Sequence, residues 1–299
     1  MPDEPVTITP GLLRGWPLPP PGGDKESRGR VLAIGGTAHT PGAVLLAGEA
    51  VLRAGAGKLQ IATAEPVAAA VAVAVPEALV VPVQTSRDGG LAPQAATHLL
   101  ELAAEADAVL VGSGFSDPDR SVDLLAELMP HLDSPLVLDA LASAFLHQHR
   151  DGVRHLSGRC LLNANPTEVL KTMGGEDAQA NDGDSEAAPH RLSVQAGITV
   201  LCGGTTKTIA APDGRLWSSA AGGPGLGVSG SGDVQAGLAA GLLGRGALAE
   251  QAAVWSAYLH GSAGDVLAER VGPVGFLARE IAGCVPALLD SLTHEDDGP

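Results

Sequence analysis

Residues 222–233 form a glycine-rich segment, Gly-Gly-Pro-Gly-Leu-Gly-Val-Ser-Gly-Ser-Gly-Asp, that runs directly into the apolar residues 234–243. Six of these twelve residues are glycine, so the backbone can adopt positive φ angles and lie close to a ligand. Ser231 is of a type favoured as a helix N-cap, which predicts that a helix begins here. The free amides and the dipole at a helix N-terminus favour a phosphate group, so we predict an anion-binding turn.

Asp233 falls in the first turn of this predicted helix. A carboxylate at that position could accept a proton from a substrate hydroxyl. Positioning and charge neutralisation dominate phosphoryl transfer, so an anion site beside a base indicates that reaction class. An aspartate in a first helical turn is also common as a partner of the helix dipole, and the motif alone leaves a purely structural turn open.

Short apolar runs alternate with helix-length segments along most of the chain. This alternation is typical of a parallel sheet with helices on both faces, so we predict the α/β class. The strands are expected at residues 31–34, 58–63, 79–83, 108–112, 136–139 and 161–164, and the helices at residues 41–54, from about 66, 93–104, 231–243, 247–269 and 277–289. Three shorter strands at residues 199–202, 207–211 and 215–219, the last two joined by a hairpin turn, predict an antiparallel edge.

Two segments lack an apolar pattern. Residues 1–29 are rich in proline, so we predict an irregular lead-in followed by a single domain over residues 30–299. Residues 174–189 contain five acidic residues, which favours an exposed loop.

The overall charge limits the possible partners. The formal net charge is −16, from 34 acidic and 18 basic residues, which argues against binding to nucleic acid or to anionic membranes. The most apolar long stretch, residues 67–83, is interrupted by Pro76, Glu77 and Pro82, so no membrane span is expected.

Cysteine usage and the start of the chain indicate the compartment. Cys160, Cys202 and Cys284 are widely spaced and odd in number, so neither a disulfide framework nor a zinc site is expected. The first twenty residues lack the apolar run of a signal peptide, and we expect a cytoplasmic protein.

Polar residues follow several predicted strands, which indicates a shared crevice at one edge of the sheet. Asp139 ends one strand, and Asn163, Asn165 and Glu168 follow the next. Asp139 could equally act as a simple helix cap. His260 lies within a predicted helix, where we expect it to pack in the core.

Eight segments together resemble one known family. They are residues 30–36, 42–57, 76–77, 111–114, 137–140, 165–168, 224–234 and 258–265. In order and spacing they resemble the ADP- or ATP-dependent NAD(P)H-hydrate dehydratases, a branch of the ribokinase-like superfamily. The resemblance spans about residues 29–289 and implies a three-layer fold with a mostly parallel central sheet, helices on both faces and an antiparallel edge.

This resemblance implies ADP-dependent dehydration of hydrated NADH or NADPH, a repair reaction on nicotinamide nucleotides. Asp233 would remove the proton of the ring hydroxyl, the oxygen would attack the terminal phosphoryl group, and the phosphate ester would be eliminated. The implied co-substrate is ADP, or ATP, and the implied metal is Mg²⁺. A homo-oligomer is expected by the same resemblance.

Binding residues also follow from the resemblance. The nucleotide-binding positions are Gly203, Gly204, Thr205, Thr206, Lys207, Gly230, Ser231 and Gly232. The positions at the hydrated-cofactor pocket are Ala43, Gly114, Asn165 and Asp233. Glu168 matches the position through which ribokinase-like kinases place Mg²⁺, in this case through water.

Five positions depart from the family pattern, each by the loss of a hydrogen-bonding group. The family has His at Asn165, Lys at Gly203, a second acid at Leu141, and Asn and Thr at Gly223 and Val228. Lys207 could replace the lost cation if its side chain points inward. Two alternatives stay open: a kinase of the same fold acting on a hydroxymethylpyrimidine or thiazole alcohol, and a nucleotide-binding paralogue without turnover.

Overall fold

A computed structural model describes residues 4–174 and 182–293, which form a central sheet covered by helices. The strands in these residues are β1 (Val6–Thr7), β2 (Arg30–Ile34), β3 (Lys58–Ala64), β4 (Ala78–Val83), β5 (Ala108–Val111), β6 (Leu136–Asp139), β7 (Cys160–Ala164), β8 (Thr199–Cys202), β9 (Lys207–Ala210) and β10 (Leu216–Ser219). The α-helices are α1 (Pro10–Gly15), α2 (Pro41–Arg53), α3 (Glu65–Ala74), α4 (Ala96–Ala104), α5 (Pro118–Leu128), α6 (Ser143–Gln148), α7 (Pro166–Thr172), α8 (Asp182–Ala196), α9 (Ser231–Gly244), α10 (Ala249–Arg270) and α11 (Ala278–Thr293).

The strand order across the sheet is β1-β10-β9-β8-β7-β6-β5-β2-β3-β4. Strand β9 pairs antiparallel with both β8 and β10, while the other described pairs are parallel. Every residue of β5 to β8 is buried, as expected for parallel strands covered on both faces. The predicted α/β class, with its mostly parallel sheet and antiparallel pairing near one edge, is confirmed.

Side chains of the central strands alternate between two apolar cores. Leu110, Val137 and Leu161 face the core that contains α2, α9, α10 and α11. Leu138 and Leu162 face the opposite core, which contains α4, α5, α6 and α8. The molecule therefore has three layers, with the sheet in the middle.

Helix α9 lies unusually close to α2 because of two glycines. A Cβ on Gly237 would overlap the carbonyl oxygen of Ala47, and a Cβ on Gly241 would overlap that of Val51. Only glycine permits this approach of one helix to the backbone of another. The packing fixes where the first turn of α9 stands relative to the sheet.

The prediction of an irregular lead-in is wrong for residues 6–15, which form β1 and α1. Val6 pairs with Trp217 in β10, and Leu13 is completely buried. The ring of Trp255 donates a hydrogen bond from Nε1 to the carbonyl oxygen of Trp16 at 3.0 Å. A strand of two residues and a helix of six are too short to show periodicity, which is why the pattern failed to predict them.

The predicted acidic loop is also wrong from residue 182 onward, because α8 begins at Asp182 and continues through Pro189. Residues 175–181 of that prediction lie outside the described part of the chain. Ala188, Leu192 and Ala196 recur every four residues and are buried against the sheet. This apolar face stabilises the helix despite the proline.

Two further observations concern composition. Cys160, Cys202 and Cys284 are buried and carry free thiols. Across the described ranges, every helix is too short or too polar to cross a bilayer.

Candidate active site

A cavity of about 840 Å³ opens where the carboxyl ends of β6, β7 and β8 meet the N-terminus of α9. Such crevices beyond the carboxyl ends of parallel strands are where α/β proteins bind ligands. Nine of the predicted site residues line it: Asn165, Glu168, Gly203, Gly204, Thr205, Lys207, Ser231, Gly232 and Asp233. Thr206, Gly230, Ala43 and Gly114 are not among the lining residues.

The first turn of α9 differs from the prediction in one respect. Gly230, with φ 91°, is the N-cap, and Ser231 is the first helical residue. The cap contributes no side-chain hydrogen bond, so the amides of the turn have no side-chain partner at this end. Gly232 has open space where a Cβ would stand, and it lines the cavity. The amide of Ser231 donates to the carbonyl oxygen of Val228 at 3.1 Å, whereas the amide of Gly232 has no described partner and can serve an anion in the cavity.

Asp233 stands in this first turn and lines the same cavity. Its pKa is raised to about 6, chiefly by burial and also by the neighbouring carboxylate of Glu168, while the nearby Ser113 hydroxyl and its own backbone amide oppose the rise. A carboxylate with a pKa near neutrality is suited to act as a base.

Asp139 is a second buried carboxyl group in the cavity wall, only 3% exposed. The Ser113 hydroxyl donates to Oδ2 at 2.7 Å, and Asn163 Nδ2 donates to Oδ1 at 2.9 Å. Burial raises the pKa of Asp139, and the nearby charge of Asp233 raises it too. Asp139 does occupy the N-cap position of the short 3₁₀ turn at Ala140–Ala142, but its side chain makes no cap bond and points to Ser113 and Asn163 instead.

Lys207 points inward and is 4% exposed. Its Nζ donates a hydrogen bond to the carbonyl oxygen of Ala221 at 3.1 Å, and it lines the cavity. Burial lowers the pKa of this ammonium group, opposed by the charge of Asp265. Within the described residues no carboxylate forms an ion pair with Lys207, so an anionic ligand would compensate its buried charge.

The segment after β8 forms another side of the cavity. The amide of Gly203 donates to the carbonyl oxygen of Ala164 at 2.8 Å, and Gly204 has φ 136°, which only glycine adopts readily. Gly203, Gly204 and Thr205 line the cavity, while the side chain of Thr206 is exposed outside it.

Asn165 and Glu168 form a capping box at the start of α7. Asn165 Oδ1 accepts from the amide of Glu168 at 2.9 Å, and Glu168 Oε2 accepts from the amide of Asn165 at 2.8 Å. The residues that the structure describes contain no group of three or more His, Cys, Asp or Glu side chains placed to hold a metal ion directly.

Ala43 and Gly114 lie together beside the cavity rather than in its wall. A Cβ on Gly114 would lie 3.0 Å from that of Ala43, and the Thr40 hydroxyl donates to the carbonyl oxygen of Gly114 at 2.6 Å. Ser113, one residue earlier, bonds to Asp139 in the cavity wall. The two predicted substrate positions therefore adjoin the carboxylate side of the site.

His260 is buried as predicted, but it also contacts the site. Its Nε2 lies 3.0 Å from the carbonyl oxygen of Ser231 and 2.9 Å from the hydroxyl of the same residue. Because a carbonyl oxygen only accepts, Nε2 carries the proton and Nδ1 is left without a partner in the described structure. Burial lowers the pKa of His260 to about 3, so the ring is neutral at pH 7.

Sequence patterns missed the roles of Ser113 and Asn163, since a polar residue at a strand end is ordinary. The sequence did carry a signal at Gly261 and Gly264 in α10. Glycine destabilises the interior of a helix, so two glycines there indicate that another segment packs closely against the helix. That neighbour is the loop before α9: a Cβ on Gly261 would overlap the carbonyl oxygen of Ala221, and one on Gly264 would lie 2.7 Å from Leu226.

A three-layer α/β sheet with a glycine-rich turn, a helix tip and an aspartate at its carboxyl edge defines a ribokinase-like protein. A solved structure of a ribokinase-like superfamily protein from Enterococcus faecalis V583 superimposes with a TM-score of 0.76 at 22% identity, covering 96% of both chains. An ADP/ATP-dependent NAD(P)H-hydrate dehydratase from Bacillus subtilis, co-crystallised with ATP/Mg²⁺, also gives 0.76, at 23% identity, covering 97% of this chain and 100% of that one.

The sequence comparisons are more specific than the fold. A model of the NAD(P)H-hydrate dehydratase family matches residues 31–287. The ADP-dependent (S)-NAD(P)H-hydrate dehydratase of Xanthomonas campestris pv. campestris is 43% identical over 291 residues, 96% of each chain. The chain belongs to the NAD(P)H-hydrate dehydratase family, as its resemblance predicted.

Proposed function

We propose that this protein carries out ADP-dependent dehydration of hydrated NADH and NADPH. The observation that carries the proposal is the meeting, in one cavity, of the uncapped first turn of α9, the buried Lys207 and the Asp233 carboxylate. The name of the Xanthomonas campestris relative, 43% identical, supports the same substrate and co-substrate.

The proposed reaction has two stages. The carboxylate of Asp233 accepts the proton of the ring hydroxyl, the oxygen forms a bond to the terminal phosphorus of ADP, and the bond from that phosphorus to AMP breaks. The C–O bond of the new ester then breaks, phosphate leaves with the bonding pair, and the ring nitrogen lone pair forms a C=N⁺ bond. Loss of a proton from the adjacent ring carbon to solvent or phosphate then restores the carbon–carbon double bond and the nitrogen lone pair. The amide of Gly232 and the ammonium of Lys207 stabilise charge on the transferring group, with Ser231 in the same wall.

Mg²⁺ fits this site through water rather than by direct coordination. Glu168 uses Oε2 to cap α7, and its Oε1 makes no hydrogen bond within the described residues. Mg²⁺ usually retains several waters, so Oε1 could hold one of them. When bound with the nucleotide, the ion neutralises phosphate charge.

The remaining family expectations are proposals of the same kind. Asn165, Ala43 and Gly114 hold the hydrated cofactor, with Asn165 in the cavity wall and the other two beside it. Val73 and Leu79, 83% and 64% exposed at the β4 edge, favour a homo-oligomer. The three unpaired thiols favour the cytoplasm.

Absorbance of the reduced nicotinamide tests the activity directly. With ADP, Mg²⁺ and hydrated NADH, we expect the absorbance to return, with one AMP formed per NADH recovered. Phosphorylation of a thiazole or pyrimidine alcohol by ATP without NADH recovery would favour the kinase alternative. Nucleotide binding without either reaction would favour the paralogue without turnover. Asp133→Asn is the matched control, since that carboxylate is a 93% exposed side chain.

A further inference from the structure

A chain of hydrogen bonds joins β5, β6 and β7 to the first turn of α9. The Ser113 hydroxyl donates to Asp139 Oδ2 at 2.7 Å, and Asn163 Nδ2 donates to Asp139 Oδ1 at 2.9 Å. The same Nδ2 donates to the carbonyl oxygen of Gly232 at 3.2 Å. Ser113, Asp139 and Asn163 are 1%, 3% and 4% exposed, so the two bonds to Asp139 are buried, while the bond to Gly232 is half-buried at the cavity wall.

The orientation of Asn163 is forced by its partners. The Gly232 carbonyl oxygen only accepts, so the amide nitrogen faces it and gives its second hydrogen to Asp139 Oδ1. The reverse orientation would place the amide oxygen against two other oxygens. The link to α9 is therefore directional and belongs to one rotamer.

Two features of this strand end oppose stability. Asp139 is a buried carboxyl group close to that of Asp233. An apolar residue at this position would stabilise the fold more, so the carboxyl group serves a purpose other than packing. The next residue, Ala140, has φ 48°, the sole positive φ of a non-glycine residue in the described ranges. Such costs concentrate at functional sites.

The first turn of α9 is held from two sides. On one side, His260 in α10 contacts Ser231. On the other, Asn163 donates to the carbonyl oxygen of Gly232, a residue without a side chain whose Cβ position faces open space. In the described structure Asn163 is thus the contact that restrains the cavity side of the turn.

We propose that Ser113, Asp139 and Asn163 form a clamp, a set of positioning residues that fixes the first turn of α9 and so aims Asp233 and the turn amides at the cavity. The effect of the clamp on kcat rests on the proposed function. Its effect on the rigidity of the first turn of α9 does not. No bond to substrate is assigned to its members; they act through Gly232.

Asn163→Asp tests the clamp, because it keeps the size of the side chain and replaces both donors by an acceptor. At pH 8, kcat should fall about 100-fold, because a displaced first turn no longer holds Asp233 in its reactive position. KM for ADP should rise much less than kcat falls, since Gly203 to Lys207 lie on other elements and Lys207 stays in place. Asp139→Asn should keep most of the activity, since its amide oxygen can accept from Asn163 and its amide nitrogen can donate to Ser113. Asp139→Ala removes both bonds, and its kcat should fall as far as that of Asn163→Asp.

Hydrogen exchange separates the clamp from the proposed function. In Asn163→Asp, peptides covering residues 231–238 should exchange faster than in the wild type, while distant peptides and Asp133→Asn should not change. If the wild type lacks dehydratase activity, the proposed function fails, and the hydrogen-exchange rates alone then show whether the clamp holds the turn. Unchanged exchange, or a kcat within threefold of wild type, overturns the clamp. Should Asn163→Asp not fold, Asn163→Ala undergoes the same measurements with the same expected results.

Discussion

Asp233 owes its chemistry to its surroundings rather than to its position in a motif. It stands half-buried in the first turn of α9, beside Glu168 and near the Ser113 hydroxyl. Burial disfavours the charged form, which raises its pKa to about 6. The carboxylate is therefore a stronger base than an exposed aspartate while still being mostly ionised at neutral pH.

The raised pKa predicts the acid side of the pH profile. Asp233 must be ionised to accept a proton, so kcat/KM should fall as the pH drops through about 6. Glu168→Gln keeps a side chain able to form the capping box but removes a negative charge that raises this pKa. The acid limb should then move to lower pH. Identical profiles for the two proteins would contradict this assignment.

Lys207 illustrates a buried charge kept for a ligand. Lys207→Met should weaken ADP binding by about 10-fold or more, because it removes a cation from the cavity. The free energy of unfolding should not fall by more than about 1 kcal/mol, because the variant no longer buries an ammonium group without an ion-pair partner.

Calorimetric titration and urea unfolding measure the two effects. Lys171→Met is the matched control, on an exposed position of α7. A variant with unchanged ADP affinity and lower stability would show that Lys207 is structural.

At the scale of elements, the contact between α2 and α9 sets the position of the site. Gly237→Ala should destabilise the protein by about 1–3 kcal/mol, because the new methyl group overlaps the backbone of Ala47. This loss exceeds the gain of about 1 kcal/mol that alanine brings to a helix.

Gly283→Ala in α11 is the control, since nothing lies within 4 Å of its Cβ position. It should stabilise the protein by about 0.5–1 kcal/mol. Denaturant unfolding of both variants measures the difference. Equal effects of the same sign would contradict the close packing of α9 on α2.

The elements also show where sequence patterns succeed. Strands β2 to β8 were predictable because the strands of a parallel sheet form short apolar runs separated by helix-length segments. The pairing of β1 with β10 was not, since a contact between residues 6 and 217 depends on the folded topology. Helix α8 was hidden by acidic residues and Pro189, although its buried face recurs every four residues.

The site divides in the same way. Asp233 and the glycine turn were predictable because local backbone chemistry determines their role. The inward direction of Lys207 was a condition that the sequence could not test. The bond of Asn163 to Gly232 joins residues 69 positions apart, and no local pattern contains it.

At the scale of the whole molecule, His260 couples stability to pH. Its pKa is lowered by burial to about 3, so the unfolded chain binds a proton below about pH 6.5 that the folded chain does not. This residue's contribution to stability is therefore lost as the pH falls below about 6.5. Asp139, whose pKa is raised, acts in the opposite direction as the pH rises above about 4.

Comparison with a variant isolates the histidine. Between about pH 4 and 6, the slope of unfolding free energy against pH should be smaller in His260→Gln than in the wild type by about 1.4 kcal/mol per unit. His98→Gln, with a half-exposed ring, should leave the slope unchanged. Parallel curves for wild type and His260→Gln would contradict the buried neutral ring.

The whole account depends on one cavity holding both the nucleotide and the base. Asp233→Asn tests this most directly, with dehydratase turnover and ADP affinity measured on the same sample. We predict that turnover falls by about 1000-fold or more while the Kd for ADP stays within about threefold, because the turn amides and Lys207 remain in place. Turnover near the wild-type rate, or turnover and ADP binding lost together in a folded variant, would contradict it.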